Sequence, residues 1–152
     1  MNKEYKYKVA TINELEARWD KNIANNFGDD RWVKWKDVAI ENNKSRKCVT
    51  FVVMRDDEPI GEGTLVLSAQ SVEINGLRID KQYRNNGHAS KPVKIMEQWA
   101  KAEGYTTIII GAEAKNVRNL SIYFRWGYDT FVKSEISEIE EEGLILFYAK
   151  IL

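Results

Sequence analysis

The sequence predicts a mixed α/β (α+β) fold in a single domain, residues 1–152. Three observations support this prediction. The length of 152 residues is ordinary for one domain. Apolar residues make up 43% and charged residues 30%, the balance of a globular protein. Apolar runs with strand periodicity alternate with apolar positions at helical spacing, in the order β-α-α-β-β-β-α-β-α-β-β. This order predicts a mixed sheet with a strand-helix-strand unit at its centre.

The N-terminal part of the chain predicts one strand and two helices. Residues 5–10 alternate between polar and apolar side chains, as a strand does. A helix over residues 12–23 follows, because Thr11 can cap its start with Glu14 as capping-box partner. Residues 31–41 predict the second helix. Its apolar positions with helical spacing are Trp32, Trp35, Val38 and Ala39.

The middle of the chain predicts three strands. Residues 49–55 are strongly apolar, and the turn sequence DDEP joins them to a hairpin partner over residues 60–68. Gly61 and Gly63 in that partner indicate a bulge or a close approach of two backbones. Residues 71–79 are the next strand.

The C-terminal part predicts two helices and three strands. The first helix follows residues 84–89 and extends to about residue 103, where Gly104 supplies its C-terminal cap. Pro92 fits this helix if Ser90 is its effective N-cap. The other elements are a buried strand (106–112), a short helix (116–125) and two last strands (128–133 and 144–151).

Composition argues against several classes of protein. Lys plus Arg and Asp plus Glu both number 23, so the formal net charge is zero, which disfavours a nucleic-acid partner. Cys48 is the only cysteine and there is one histidine, which argues against disulfides and against zinc sites of the common kinds. No apolar run approaches the roughly 18 residues of a membrane span, and the N-terminus lacks the apolar core of a signal peptide. We therefore expect a cytoplasmic protein without a membrane partner.

The segment RNNGHA, residues 84–89, has the properties of an anion-binding loop. It lies between a predicted strand and a predicted helix, whose N-terminus presents backbone N–H groups and a positive dipole end. Gly87 allows an anion to approach the backbone closely, and the guanidinium of Arg84 has N–H donors in an arrangement that matches phosphate. The alternative is an ordinary polar surface loop. The segment is neither a P-loop nor a G-x-G-x-x-G motif.

Two motifs together suggest a family. The loop reads R-x-x-G-x-A, with Arg84, Gly87 and Ala89 at its fixed positions, and residues 116–128 read N-x-x-N-x-x-I-Y-x-x-x-G-Y. With the element order, they resemble the pyrophosphate loop and the later signature of the GNAT superfamily of N-acetyltransferases, although Asn119 replaces the usual Ala. The resemblance is clearest over residues 60–128. It implies the GNAT fold, a mostly antiparallel mixed central sheet with a splayed parallel strand pair and about four flanking helices.

The resemblance implies that the cofactor is acetyl-CoA. Backbone amides of the loop would bind its pyrophosphate, and the preceding strand would pair with the pantetheine arm. Asn116 matches the Asn that contacts the pantetheine or a bound water, and His88 is expected to act as a spacer in the loop. The implied cofactor-binding residues are Leu77, Arg78, Ile79, Arg84, Asn85, Asn86, Gly87, His88, Ala89, Ser90 and Asn116.

The resemblance also implies direct attack of a primary amine on the acetyl carbonyl, which needs a base and an acid. Tyr123 matches the Tyr near the thioester sulfur and is the candidate acid; its alternative is a packed tyrosine. Glu73 is the candidate base, on a strand where alternation places Asn75 and Leu77 on the same face. Its alternative is an exposed glutamate at a strand end. Glu62, Glu113 or a chain of waters could replace it.

The acceptor is predicted to be a cationic small molecule, because aromatic rings and carboxylates together suit a cationic amine. A polyamine, an aminoglycoside-like antibiotic and an amino-acid derivative are examples. The candidate acceptor-binding residues are Trp32, Trp35, Glu62 and Glu113. A peptide or protein acceptor, an acyl-CoA-binding module without turnover and a nucleotide-binding α/β domain remain alternatives. Analogy with the family adds a homodimer as an expectation.

Overall fold

The computed structural model describes residues 4–84 and 87–152 of the chain. The α-helices are α1 (Ile12–Asn25), α2 (Asp30–Lys44), α3 (Ser90–Ala102) and α4 (Val117–Arg125). The strands are β1 (Tyr5–Val9), β2 (Cys48–Arg55), β3 (Glu58–Leu67), β4 (Ser71–Ile79), β5 (Thr107–Glu113), β6 (Thr130–Ile136) and β7 (Leu144–Ile151). Two short 3-10 helices cover Lys81–Tyr83 and Glu140–Glu142.

The strands form one seven-stranded sheet in the order β1-β2-β3-β4-β5-β7-β6. Neighbouring strands are antiparallel except β4 and β5, which are parallel and joined by α3. The predicted mixed fold and the order of its elements are therefore confirmed. The boundary of β6 differs from the prediction, because the chain turns at Gly127 (φ 101°) and the strand begins only after the buried Tyr128.

Local sequence signals explain the helix starts. Thr11 and Glu14 form the predicted capping box, with the Glu14 amide donating to Thr11 Oγ1 (3.2 Å) and the Thr11 amide donating to Glu14 Oε1 (2.9 Å). Helix α3 begins at Ser90, so Pro92 lies in its first turn. A proline is tolerated there, because the first amides of a helix have no partner within it.

The two faces of the sheet carry different helices. Gly63 of β3 faces Met96 of α3, whereas its neighbour Glu62 contacts Arg18 of α1. Because successive strand residues point to opposite faces, α3 and α1 cover opposite sides of the sheet. The main apolar core lies on the α3 side, where α4 also packs through Tyr123.

A bulge in β4 interrupts its alternation. Gly63 of β3 opposes both Gly76 and Leu77, and Gly76 has a φ of 70° that favours glycine. Leu77 consequently points to the α3 side and packs against the main core, while Arg78 points to the α1 side. The prediction that Leu77 shares a face with Glu73 is therefore wrong, since the alternation rule assumes a regular strand.

No helix in the described part of the chain, residues 4–84 and 87–152, is long and apolar enough to span a membrane.

Candidate active site

The parallel strands β4 and β5 separate at the centre of the sheet. They pair only where Ser71–Ile74 lies beside 107–110. Beyond that point β4 continues to Ile79 against β3, and β5 continues to Glu113 against β7. Their facing edges therefore diverge into a cleft, and backbone groups at those edges are outside the β4–β5 ladder.

The segment after β4 leads directly into α3. Arg84 Nε donates to the carbonyl of Ile79 (2.9 Å), which holds the segment against the end of the strand. Gly87 has a φ of 79°, and a Cβ at this position would meet only Ser90 Oγ at 4.0 Å. Ser90 Oγ donates to the Gly87 carbonyl (3.1 Å) at the start of α3. The predicted loop residues 85 and 86 lie outside the described residues.

His88 attaches this loop to the edge of the sheet. Its imidazole is buried, its Nδ1 lies 2.8 Å from the hydroxyl oxygen of Tyr7, and its ring centroid lies 4.4 Å from that of Tyr5. Burial, together with the charge of Lys91, lowers the pKa of His88 below its usual value. The sequence predicted a spacer, and the structure adds a packed side chain that fixes the loop on β1.

A cavity of about 520 Å³ lies beside this cleft, between α1, the start of α2 and the end of β4. It is lined by Arg18, Asn22, Asn25, Asn26, Trp32, Leu77, Arg78, Ile79, Asp80, Lys81, Gln82 and Arg84. It thus brings together five of the predicted site residues, four for the cofactor and one for the acceptor.

A buried charge network forms one wall of the cavity. Arg18 Nε donates to Glu62 Oε1 (3.0 Å) and its Nη1 donates to Asp80 Oδ1 (2.7 Å). Asn22 also donates to Glu62 Oε1 (2.9 Å), and Lys21 Nζ lies 2.5 Å from Asp80 Oδ2. The carboxylates of Glu62 and Asp80 are therefore matched by cations of α1, as buried charges require.

Residues 11–128 match the model of the acetyltransferase (GNAT) family, which covers most of the chain. The chain belongs to this family. The predicted family and enzyme class, an acetyltransferase, are therefore confirmed.

Solved structures agree with this assignment at the level of the fold. An IAA acetyltransferase from Bacillus cereus is 13% identical, with a TM-score of 0.71 over 98% of this chain and 100% of its own. A ribosomal-protein-alanine N-acetyltransferase from Brucella melitensis is 16% identical, with a TM-score of 0.75 over 97% of this chain and 99% of its own. PaiA N-acetyltransferase from Thermoplasma acidophilum, solved in complex with coenzyme A, is 16% identical, with a TM-score of 0.66 over 98% and 99%. No curated protein matches the sequence significantly.

The candidate acid and base of the acetyltransferase lie on opposite sides of the sheet. Tyr123 packs on the α3 side, with its ring centroid 5.5 Å from that of Trp126, and burial raises the pKa of its phenol. Glu73 points to the α1 side, where its Oε1 lies 3.4 Å from Lys133 Nζ. Asn116 caps α4, its Oδ1 accepting from the Asn119 amide (3.0 Å). Asn119, at the usual Ala position of the motif, thus supplies the backbone amide for this cap.

Three of the predicted acceptor residues stand apart from the lining of the cavity, within the described residues. Glu62 is 1% exposed and bound within the charge network. Trp35 packs edge-on against Trp32, with ring centroids 5.1 Å apart. Glu113 ends β5 opposite Ile145.

Sequence reasoning missed the buried polar residues of the cavity wall. Arg18 and Asn22 occupy the same face of α1 as the buried Leu15 and Trp19. Polar residues at core-facing helical positions are a signal of a buried polar network, and this signal was available in the sequence. Asp80 had no comparable signal, because it follows the last residue of β4.

Proposed function

We propose that the chain is an acetyl-CoA-dependent N-acetyltransferase that acts on a primary amine of a small molecule. The observation that carries this proposal is the divergence of β4 from β5, next to the loop with Gly87 that precedes α3. Acetyl-CoA supplies the acetyl group as a thioester. The single-domain organisation, the homodimer and the cytoplasmic location stay predictions from the sequence.

The residues around the cleft fit this cofactor. The edge of β4 over residues 77–79 offers backbone groups to an extended arm, as a sheet edge does for a peptide. Gly87 leaves open space at the first turn of α3, where backbone N–H groups favour an anion. Arg84 adds a positive charge beside this turn. His88, Ala89 and Ser90 complete the proposed pyrophosphate site. Asn116, at the start of α4, is proposed to contact the pantetheine arm or a bound water.

The chain's own groups can handle the protons of the transfer. A new N–C bond forms as the C–S bond breaks, so the amine loses a proton and the departing sulfur gains one. Glu73 is the proposed base, directly or through a water, and its Oε1 lies 3.4 Å from Lys133 Nζ. Tyr123 is the proposed acid, because its raised pKa keeps the phenol protonated.

The contacts at the cavity support one of the predicted acceptor classes. The sequence predicted a cationic small molecule held by Trp32, Trp35, Glu62 and Glu113. In the structure Glu62 already binds Arg18, and the guanidinium of Arg78 lies over the ring of Trp32. Among the predicted classes we therefore propose an amino-acid derivative, with polyamines and aminoglycosides as comparison substrates.

Thermal unfolding with acetyl-CoA tests the cofactor. A ligand at 100 times its Kd stabilises a protein by about 2.7 kcal/mol. For a domain of this size, that raises the midpoint temperature of thermal unfolding by roughly 5 to 10 °C. ATP and NAD should leave the midpoint unchanged. We expect Gly87→Glu to abolish the shift, because it introduces a strained side chain and a negative charge at the proposed pyrophosphate site.

Gly104→Glu is the matched control, since Gly104 also has a positive φ (93°) and open space, at the opposite end of α3. Gly104→Glu should lower the stability of the protein but retain the increase in the unfolding midpoint that acetyl-CoA causes. An acetyl-CoA shift that is absent, or that persists in Gly87→Glu, would contradict the proposal.

Release of the CoA thiol in the presence of an amine panel tests turnover. Tyr123→Phe should lower kcat by about 100-fold or more, the usual contribution of a general acid, and leave the acetyl-CoA shift intact. Tyr105→Phe is the control, a half-buried tyrosine that stacks on Trp99. An undiminished kcat in Tyr123→Phe would exclude Tyr123 as the acid.

A further inference from the structure

The guanidinium of Arg78 is held in one orientation at the cavity. Its Cζ lies 5.0 Å from the ring centroid of Trp32 and 5.7 Å from that of Trp19. Its Nη1 donates to Glu62 Oε2 (2.9 Å) and to the carbonyl of Gly76 (3.3 Å). The side chain nevertheless remains 35% exposed. Arg78 is therefore a fixed cation that lines an open cavity.

The bulge in β4 puts this cation on the α1 side of the sheet, where the cavity lies. Without the extra residue at Gly76–Leu77, alternation would turn Arg78 towards α3. A Cβ on Gly76 would lie 2.9 Å from Arg78 Nη1, so the guanidinium passes directly over the glycine. The backbone that we propose for the pantetheine arm thus carries Arg78 on its α1 side.

The charges around the cavity leave an excess of positive charge. Arg18 is matched by Glu62 and Asp80, and Lys21 also pairs with Asp80. Arg78 shares the carboxylate of Glu62 with Arg18, and the remaining charged groups of the lining, Lys81 and Arg84, are cations as well. In addition, Arg78 already covers the ring of Trp32 that a cationic ligand would use. This environment opposes a second cation and favours an anion.

We propose that Arg78 binds a carboxylate of the acceptor, so that the substrate is a primary amine that also carries a carboxylate. This inference rests on the proposed N-acetyltransferase function. A guanidinium fixed by stacking presents its donors in the planar arrangement that a carboxylate matches. Arg78 is thus a specificity-determining residue, and its side chain acts on the acceptor and not on acetyl-CoA.

Steady-state kinetics with matched amines tests the proposal. The panel contains the proteinogenic amino acids, each paired with its carboxamide, together with a polyamine and an aminoglycoside. We expect kcat/KM for the best amino acid to exceed that for its carboxamide by about 10- to 100-fold, the value of a charge-assisted hydrogen bond. Arg78→Met should reduce this ratio to near one, and Arg78→Lys should keep part of it. KM for acetyl-CoA should change less than about threefold in either variant.

Arg55→Met is the matched control. Arg55 also lies over an aromatic ring, that of Tyr83 at 5.2 Å, but outside the lining of the cavity. It should keep the acid-to-carboxamide ratio of the parent. The acetyl-CoA-induced thermal shift, measured for each variant, shows that the variant is folded and binds cofactor.

Several outcomes would overturn the inference. These are a preference for carboxamides or polyamines, an acid-to-carboxamide ratio that survives in Arg78→Met, and intact acetyl-CoA binding without turnover of any carboxylate-bearing amine. All three leave the cofactor assignment standing. Loss of acetyl-CoA binding in the parent chain would instead overturn the proposed function itself.

Discussion

His88 illustrates how a residue acquires its role from its neighbours. The sequence offered a lone histidine in a loop, with a backbone role as the expectation. In the structure its imidazole is buried against Tyr5 and Tyr7 of the edge strand, near the charge of Lys91. The neutral form is the one that fits this environment, because burial penalises the charge.

This burial predicts a pH-dependent stability. The pKa of folded His88 lies below its ordinary value of 6.5, so the unfolded chain takes up the proton at a higher pH than the folded chain. The stabilisation is complete above 6.5 and is lost as pH falls from there towards the folded pKa. We expect the midpoint of thermal unfolding to decrease between pH 7.5 and 5.5, and His88→Gln to remove most of this decrease.

The difference between the decreases of the parent and of His88→Gln can be assigned to His88, because the chain has one histidine and most carboxylates titrate below this pH range. Equal decreases in the parent and in His88→Gln would show that another group is responsible.

At the scale of elements, β3 shows why two glycines lie in one strand. A Cβ on Gly61 would lie 2.8 Å from the carbonyl oxygen of Arg78 and 2.5 Å from Ile79 Cδ1. A Cβ on Gly63 would lie 2.9 Å from the terminal methyl of Met96. The sequence predicted a close approach here, and the structure identifies the neighbouring strand and α3 as the groups approached.

These contacts predict different costs for the same substitution. Gly61→Ala should lower the free energy of unfolding by about 2 kcal/mol or more, because a backbone carbonyl in the sheet cannot move away. Gly63→Ala should cost about 1 kcal/mol or less, because the end of a methionine side chain adapts. Urea unfolding of the two variants checks this order, and a larger loss for Gly63→Ala would contradict the described packing.

At the scale of the whole molecule, Arg18 connects α1 to two strands. It binds Glu62 of β3 and Asp80 after β4, so the helix that covers the cavity is attached to the strand that we propose for the cofactor. Arg18 is 1% exposed, and its loss would leave the two carboxylates without their central cation. Removing one partner of a buried ion pair is costly, because the remaining charge stays buried.

Arg18→Met should therefore lower the free energy of unfolding by about 3 to 5 kcal/mol. The double variant Arg18→Met, Glu62→Gln should recover part of the loss, because one of the uncompensated charges is removed as well. Lys36→Met, which breaks the surface pair between Lys36 and Asp20, is the control and should cost less than about 1 kcal/mol. A loss for Arg18→Met as small as that of the control would contradict the network's contribution to stability.

The sequence by itself determined the order of the elements and the family. Strand and helix periodicities are local properties of the chain, so the seven strands and four α-helices of the described residues could be predicted in order. The capping box at Thr11 and the two motifs around Gly87 and Tyr123 are equally local. Each of them lies within one turn, one loop or one helix, so the spacing of its residues in the sequence determines their distances in the structure.

Tertiary structure decided which groups surround the cavity. The bulge at Gly76–Leu77 depends on how β4 pairs with β3, and it moves Arg78 to the face opposite the one that alternation predicts. The partners of Arg78 come from α1, α2 and β3, and the partner Arg18 of Asp80 comes from α1. These elements precede β4 at different distances along the chain, so the sequence does not show that they meet. The sequence therefore predicted carboxylates and tryptophans for a cationic acceptor. In the structure Glu62 is paired with Arg18 and Arg78, and Arg78 lines the cavity. The net charge around a cavity depends on groups that only the fold brings together.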